Sequence, residues 1–428
     1  MDSTRDNPSV LLIEPGKSRD LTYPLGLAYL AGHLRRAGAT VHGIDLRIES
    51  DAALERLLKT QPFAIAGIRV MSTEVRRAAS IAALVRRLQP RALIVAGGPH
   101  ATLAPHEVLA RVGADAAVRG DGELPIAKLW SGDAAPPGVV RRDGRSAEVY
   151  VHDDLGALDF PDRTTFPMHR YYRQGSYGGI ARTAMIATRG CVKRCGYCSA
   201  HALCRGDFRK REPDAVVEEI RRLRAEHGVR GVVFEDDALV IDPSWAKGLF
   251  ERIALRAPGT TIDLPNGVNP DLLDEDLLDA MAGAGVRSLA FGLESLCGDN
   301  QRAIDRTFDL DHLERVARHA RRRGISTTGY FLIGLPHDTP LGLLSQAAAI
   351  RRLPLDLAHV SVYRRLPGQP LQQAHRPMAW TALRAFRAGF YLQYYGEPAR
   401  LGALVDRAGG GLPGMATIAR RAAQWLRW

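Results

Sequence analysis

Four of the chain's five cysteines fall between positions 191 and 204, and the first 190 residues contain none. Cys191, Cys195 and Cys198 are spaced Cys-x3-Cys-x2-Cys within Thr188-Arg189-Gly190-Cys191-Val192-Lys193-Arg194-Cys195-Gly196-Tyr197-Cys198. Three thiolates on one short loop can bind three irons of a cubane 4Fe–4S cluster, with Gly190 and Gly196 letting the backbone wrap closely. The fourth iron then has no protein ligand, and an open metal position is where a substrate or cofactor can coordinate. A structural zinc ion is the competing reading. It needs a fourth ligand, for which His201 and Cys204 are nearby candidates. Cysteines clustered in this way indicate metal chemistry or catalysis in a reducing compartment, not a disulfide framework. Cys204 and Cys297 read as small buried hydrophobes, although Cys297 follows Glu294-Ser295 and is also a candidate to face the site.

The elements that must position this loop follow from alternating patterns. Apolar runs at 10–13, 41–46, 63–70, 92–96 and 114–118 read as strands, separated by amphipathic stretches at 24–37, 51–59, 74–89 and 105–112. Strands alternating with helices predict a doubly wound, Rossmann-like parallel sheet, with ligands at the carboxyl ends of its strands. A second series begins near 183, with strands at 184–188, 231–235, 261–265, 287–292, 327–333 and 358–362. Helices fill 213–227, 244–256, 271–284, 310–323 and 340–352. Six strand–helix units predict a partial (β/α)6 barrel. The expected fold is therefore α/β, with domains at 1–135 and 181–375, a hairpin and linker over 136–180, and a short helical C-terminal segment over 376–428.

Composition narrows the class. Hydrophobic residues make up 46% and charged residues 25%, as in a globular protein, and no apolar run approaches a membrane span. The N-terminus carries no signal-peptide pattern, so cytoplasmic residence is the expectation. The net charge of +11 is spread over helix faces, as in Arg86-Arg87 and Arg321-Arg322-Arg323, without interleaved aromatics. No nucleic-acid partner is expected. Ile418–Trp428 reads as a basic amphipathic helix that packs on its own barrel or docks on a membrane or partner.

The cysteine triplet, with an aromatic before its third cysteine, resembles the radical S-adenosylmethionine superfamily. In that family the methionine moiety chelates the open iron, and one-electron reduction releases a 5′-deoxyadenosyl radical. Further segments agree in order along the chain. Phe234-Glu235-Asp236-Asp237 resembles the element that receives the methionine ammonium, which needs acceptors such as Glu235, Asp236 and Asp237. Phe291-Gly292-Leu293-Glu294-Ser295 is similar to the element near the ribose and methionine carboxylate, implying Glu294 and Ser295. Gly329–Pro336 resembles the segment passing beside the adenine, implying Ile333 and Gly334. The resemblance also implies Tyr197, Asn266 and Asn269 as contacts of S-adenosylmethionine. Pro367-Gly368-Gln369-Pro370-Leu371 is similar to the stretch that closes the barrel.

The N-terminal third resembles the cobalamin-binding domain found in one subgroup of that superfamily. The likeness rests on Pro24-Leu25-Gly26-Leu27-Ala28-Tyr29-Leu30-Ala31, Gly97-Gly98-Pro99-His100-Ala101-Thr102 and Arg119-Gly120-Asp121-Gly122-Glu123. It implies cobalamin contacts at Leu25, Gly26, Gly97, Gly98, Pro99, His100, Arg119, Gly120, Gly122 and Glu123. Residues 14–26 contain no histidine to ligate cobalt, so its lower face is expected to meet Arg69, Val70, Met71 and Ser72.

Together these resemblances imply a cobalamin-dependent radical S-adenosylmethionine methyltransferase. Its cofactors would be a 4Fe–4S cluster, S-adenosyl-L-methionine and cobalamin. An electron donor such as flavodoxin or ferredoxin and a small-molecule or carrier-bound substrate are implied as partners, with the substrate in a cavity between the strand-end faces. Cyclisation, ring contraction or oxidation with the same cofactors is the alternative outcome, and a non-catalytic cofactor sensor is the alternative of another class. A methylthiotransferase would need a second set of three cysteines, which the N-terminal half lacks.

Overall fold

The first strand, β1 (Ser9–Glu14), is buried at every position, as a parallel strand covered on both faces must be. Its side chains divide by parity. Leu11 and Ile13 enter one hydrophobic core, while Val10 and Leu12 enter a second on the opposite face. The computed structural model describes residues 9–16, 21–142, 147–174, 181–371, 378–407, 410, 411, 414, 415 and 418. The chain divides into two compact units. One comprises Met1–Gln174, Ser199–Lys210 and Leu366–Gly368, and the other Gly175–Cys198, Arg211–Arg365 and Gln369–Trp428.

The first unit is built on a six-stranded sheet of β1, β2 (Thr40–Asp45), β3 (Phe63–Arg69), β4 (Leu93–Gly97), β5 (Ala116–Val118) and β6 (Val139–Arg141). Their spatial order is β2-β1-β3-β4-β5-β6. The first five strands run parallel and β6 pairs antiparallel with β5. The order reverses between β1 and β3, and a crevice at such a switch point is where doubly wound sheets take ligands. Of residues 136–180, expected as a hairpin and linker, those up to Gln174 group with this unit. β6 extends the sheet, and Tyr171 donates a 2.7 Å hydrogen bond to Asp45 at the end of β2. Apolar periodicity could not show this, because the partners are distant in sequence.

The second unit holds β7 (Arg182–Met185), then β8 (Thr188–Arg189) as a separate short strand. β9 (Arg209–Lys210) belongs to the first unit by contact. β10 (Gly231–Phe234), β11 (Thr261–Val268), β12 (Val286–Glu294), β13 (Ser326–Ile333) and β14 (Leu357–Val362) complete the series. Strands β7, β10, β11, β12, β13 and β14 form a parallel sheet in sequential order, the partial barrel expected. The strand read over 184–188 is interrupted, because Ala187 and Thr188 turn their N–H groups to Asp236 and leave the ladder. Helix starts are set locally. Asp242, Asp274, Asp309 and Thr339 accept backbone N–H groups at N-caps, each cap contributing ~1 kcal/mol.

The free edge of β14 is covered by a helix, Trp380–Tyr395, through its tyrosines. Tyr391 Oη accepts the Val360 N–H at 3.0 Å and donates to the same residue's carbonyl at 3.2 Å. One turn on, Tyr395 Oη treats Ala358 the same way, at 3.1 and 2.9 Å. The two phenols stand in for the next strand that the open barrel lacks. Among the described residues, no helix is long and apolar enough to cross a membrane.

Candidate functional site

Cys191, Cys195 and Cys198 lie on the loop between β8 and a one-turn helix, Ala200–Leu203. Cys195 is buried and the other two are half-buried. Gly190 adopts φ +89°, the left-handed conformation that lets the loop turn at its entry. Gly196 donates to the Ile304 carbonyl at 2.6 Å and accepts from Leu371 at 2.9 Å. A β-carbon on Gly196 would stand 3.1 Å from the Ile304 Cα, so a side chain here would press on that backbone. Gln369 donates its side-chain N–H to the Tyr197 carbonyl, and its Oε1 accepts from Tyr363 at 3.0 Å. The loop is thus tied on both sides before any metal binds.

Three cysteines on one short loop are the donor set that a three-thiolate cluster takes. Cys204 is buried with its sulfur directed at the Ala200 and His201 carbonyls, 3.2 and 3.7 Å away. Burial pushes the Cys195 thiol up, and the Arg306 guanidinium opposes that shift toward the thiolate a metal requires.

The acidic segment after β10 divides its roles. Asp236 is 3% exposed. Its Oδ1 collects the Ala187 N–H at 2.9 Å and the Thr188 N–H and hydroxyl, the latter at 2.6 Å. Its Oδ2 is buried without a partner among the described residues. An orphaned carboxylate oxygen of this kind fits an ammonium group. Burial, against three hydrogen bonds, pushes the Asp236 carboxyl up to about 7. Asn266 donates to the Asp236 carbonyl at 2.9 Å, while Asn269 caps the short turn at 270–272. Glu235 is half-buried and its N–H holds Met185 at 2.9 Å. Asp237 is exposed and takes the Gly190 N–H.

At the end of β12, Glu294 sits at φ +61°, inside a tight turn closed by Ser295 N–H to the Leu293 carbonyl at 2.7 Å. A non-glycine residue held there stores strain, a common mark of functional positions. Glu294 is 7% exposed and accepts from Tyr197 Oη at 2.8 Å. Burial pushes its carboxyl up to about 7 despite Tyr197 and Arg306. Burial likewise drives the Tyr197 phenol far above its ordinary range, so it stays a donor.

Ser295 departs from expectation. It is fully buried, donating to Gln346 at 2.9 Å and accepting from Cys297 N–H at 3.1 Å. Its hydroxyl is spent on holding the strand exit, not on a ligand. Cys297 caps the helix Gly298–Ala303 from a half-buried position.

Sequence reasoning missed the polar groups that hold these turns. Asp338, 2% exposed, binds the Gly334 and Leu335 N–H groups at 2.6 and 3.0 Å. Its other oxygen accepts from Asn300 at 2.8 Å. Gly334 has φ +85° and Ile333 is buried beside it. Arg306 binds the Gly292 carbonyl through Nε and Nη2, at 3.2 and 2.8 Å. None of these residues falls in a recognisable motif.

In the first unit, Arg69 ends β3 in a two-pronged ion pair with Glu14 at the end of β1, and also meets Glu74 at 3.0 Å. Val70 is fully buried, Ser72 half-buried and Met71 exposed. Of the four residues expected beneath cobalt, Met71 is the exposed one, and Arg69 and Ser72 are committed to neighbours. His100 is 3% exposed. Its Nδ1 shares a 3.0 Å hydrogen bond with Ser72 Oγ, and its N–H binds the Val70 carbonyl at 3.1 Å. Its Nε2 is buried without a hydrogen-bond partner among the described residues.

Gly97 has nothing within 4 Å of where a β-carbon would be, and Gly98 has φ +92°. This open cradle at the end of β4 fits a large ligand passing over the backbone. Pro99 begins the helix Pro99–Leu103. Leu25 is buried and Gly26 exposed at the start of the helix Leu25–Arg36. Arg119 is spent on the Thr102 and Ala147 carbonyls, at 3.0 and 2.5 Å. Gly120 donates to Thr102 Oγ1 at 3.0 Å. Gly122 and Glu123 open the helix Glu123–Trp130, with Glu123 buried.

Residues 16–129 match the family model described as the B12 binding domain, and residues 185–341 match that of the Radical SAM superfamily. The chain is 27% identical over 398 residues to the cytidylyl-2-hydroxyethylphosphonate methyltransferase of Streptomyces wedmorensis, covering 78% of this chain and 74% of that protein. It is 25% identical over 378 residues to the anaerobic magnesium-protoporphyrin IX monomethyl ester cyclase of Rubrivivax gelatinosus, covering 82% and 66%. Among solved structures, the radical S-adenosylmethionine methyltransferase TsrM of Kitasatospora setae, with tryptophan substrate and an S-adenosylmethionine analogue bound, superposes with a TM-score of 0.74. The identity is 22%, over 85% of this chain and 74% of that one.

Proposed function

Since the chain belongs to the Radical SAM superfamily and carries a B12 binding domain, we propose that it is a cobalamin-dependent methyltransferase acting on an unactivated carbon or phosphorus. When bound, the cluster with S-adenosylmethionine would supply a hydrogen-abstracting 5′-deoxyadenosyl radical, and cobalamin would supply the methyl group. Cys191, Cys195 and Cys198 hold the cluster on a loop fixed by Gly196, Ile304 and Leu371. Asp236 offers its unpartnered Oδ2 to the methionine ammonium, and Asn266 steadies the Asp236 backbone. Glu294, bonded to Tyr197, offers its second oxygen to the same ligand. Asp338 shapes the turn at Gly334 that meets the adenine. Gly97 and Gly98 receive cobalamin, with Met71 as the side chain exposed after β3.

The observation that carries this reading is the loop of three cysteines beside the buried, half-satisfied Asp236 carboxylate. Flavodoxin or ferredoxin is the proposed electron source, and a small or carrier-bound molecule the substrate. Similarity to the cyclase favours one second reading, the same cofactors used for ring formation. The test is anaerobic reconstitution with iron, sulfide and hydroxocobalamin, followed by analysis of the S-adenosylmethionine products. S-adenosylhomocysteine accompanying 5′-deoxyadenosine marks methyl transfer, and 5′-deoxyadenosine alone marks the cyclase-like outcome. Cys195→Ala abolishes the cluster signal on this reading, and zinc in place of iron on that loop overturns it.

A further inference from the structure

Arg306 is 9% exposed, and among the described residues its guanidinium binds the Gly292 carbonyl alone, through two of its nitrogens. Among the described residues it makes no ion pair. A cation kept from water without a carboxylate partner is costly, and such positions persist where an anion arrives to match them. The segment that carries it also anchors the cysteine loop. Gly196 N–H binds the Ile304 carbonyl at 2.6 Å, two residues before Arg306, and Arg306 N–H is itself fixed to the Gln301 carbonyl at 2.9 Å.

We propose that Arg306 is a positioning residue that raises the reduction potential of the cluster, its buried charge offsetting the negative charge the three-thiolate site gains on reduction. The inference rests on the functional reading above. An oxidised 4Fe–4S core with three thiolates is already net negative. One electron from an external low-potential donor makes it more so, with no bond broken and no proton moved. A fixed positive charge in a low-dielectric surrounding favours the more negative state. Cluster potentials respond to nearby charge and to exposure in this way. The charge of Arg306 reaches Cys195, Tyr197 and Glu294, favouring the anionic form of each. The acidic groups that oppose it at Cys195 are Asp305 and Glu294, and neither pairs with it. The Gly292 carbonyl is therefore what aims the guanidinium, and the charge is what acts.

The two roles separate by substitution in the full chain, reconstituted anaerobically with iron and sulfide and titrated with dithionite under electron paramagnetic resonance. Arg306→Gln keeps a donor for Gly292 but loses the charge, while Arg306→Lys keeps the charge. At the potential where the wild-type cluster is half reduced, Arg306→Gln is expected to lower the ratio of reduced to oxidised cluster about tenfold, or 59 mV for one electron. Arg306→Lys stays near wild type. An unchanged midpoint in Arg306→Gln at full iron content overturns the proposal, as does an equal shift in both variants. If Arg306→Gln loses iron, the lysine variant decides: a wild-type midpoint supports the role and a more negative one overturns it. A wild-type chain that takes up no 4Fe–4S cluster overturns the functional reading and this role with it. A shifted midpoint in a chain that yields no methylated product keeps the role of Arg306 and fails only the methyl-transfer reading.

Discussion

The phenol of Tyr197 donates a 2.8 Å hydrogen bond to the carboxylate of Glu294, tying the cysteine loop to the strained end of β12. A donor lost from a buried carboxylate costs more than a neutral pair, ~1.5–3 kcal/mol. Tyr197→Phe should therefore weaken S-adenosylmethionine binding about tenfold or more, while iron content stays at the wild-type level. Equilibrium dialysis on the reconstituted protein, beside an iron assay, checks both halves of the expectation.

Two buried carboxyls give the cofactor-free protein an unusual pH response. Burial raises Asp236 and Glu294 to about 7 each, above the ordinary carboxylate value near 4. Between about pH 4 and pH 7 the folded chain then binds more protons than the unfolded one, so stability falls as pH rises through that window. Urea midpoints should drop from about pH 5 to about pH 8, and Asp236→Asn should flatten the drop. A midpoint that rises over the same range contradicts the assignment.

Glycines in the first unit predict opposite outcomes. A side chain at Gly97 meets nothing within 4 Å, whereas a β-carbon on Gly120 would fall 1.9 Å from the Tyr150 carbonyl oxygen. Gly97→Val should fold and unfold like wild type yet lose cobalamin, read by the absorbance of bound corrinoid. Gly120→Ala should lower the thermal midpoint of the protein, because backbone must move to admit it.

Removing a tyrosine hydroxyl from the helix Trp380–Tyr395 should be costly for its size. Tyr391→Phe strands both the N–H and the carbonyl of Val360, and Tyr395→Phe does the same to Ala358. Each substitution should destabilise by about 1–3 kcal/mol, measured as a shift in the denaturant midpoint at constant slope.

How much of this was legible depended on the kind of signal. Apolar runs gave most strands and helices within a few residues, since the burial of β1 or the helix Pro213–His227 is written in their periodicity. The cysteine loop stood out because three cysteines in that spacing are rare, whereas Glu294 was marked only by the family resemblance. The packing of residues 136–174 on the first sheet was not legible, for it rests on pairs such as Tyr171 with Asp45, 126 positions apart. Ser295 showed the opposite error, where a motif position suggested a ligand and burial gave it to Gln346. Arg306, Asn300 and Asp338 carry no local pattern, because their roles arise only when the ends of β12 and β13 come together.

The phenols along β14 also act as a stop on growth. A parallel sheet has no intrinsic last strand, and each exposed row of amides can template another copy of the chain. By filling those bonds with side chains, Tyr391 and Tyr395 fix the strand count at six without a seventh strand. A chain cut before Trp380 would keep its cysteine loop and strand-end carboxylates, yet should assemble edge to edge into oligomers as it folds.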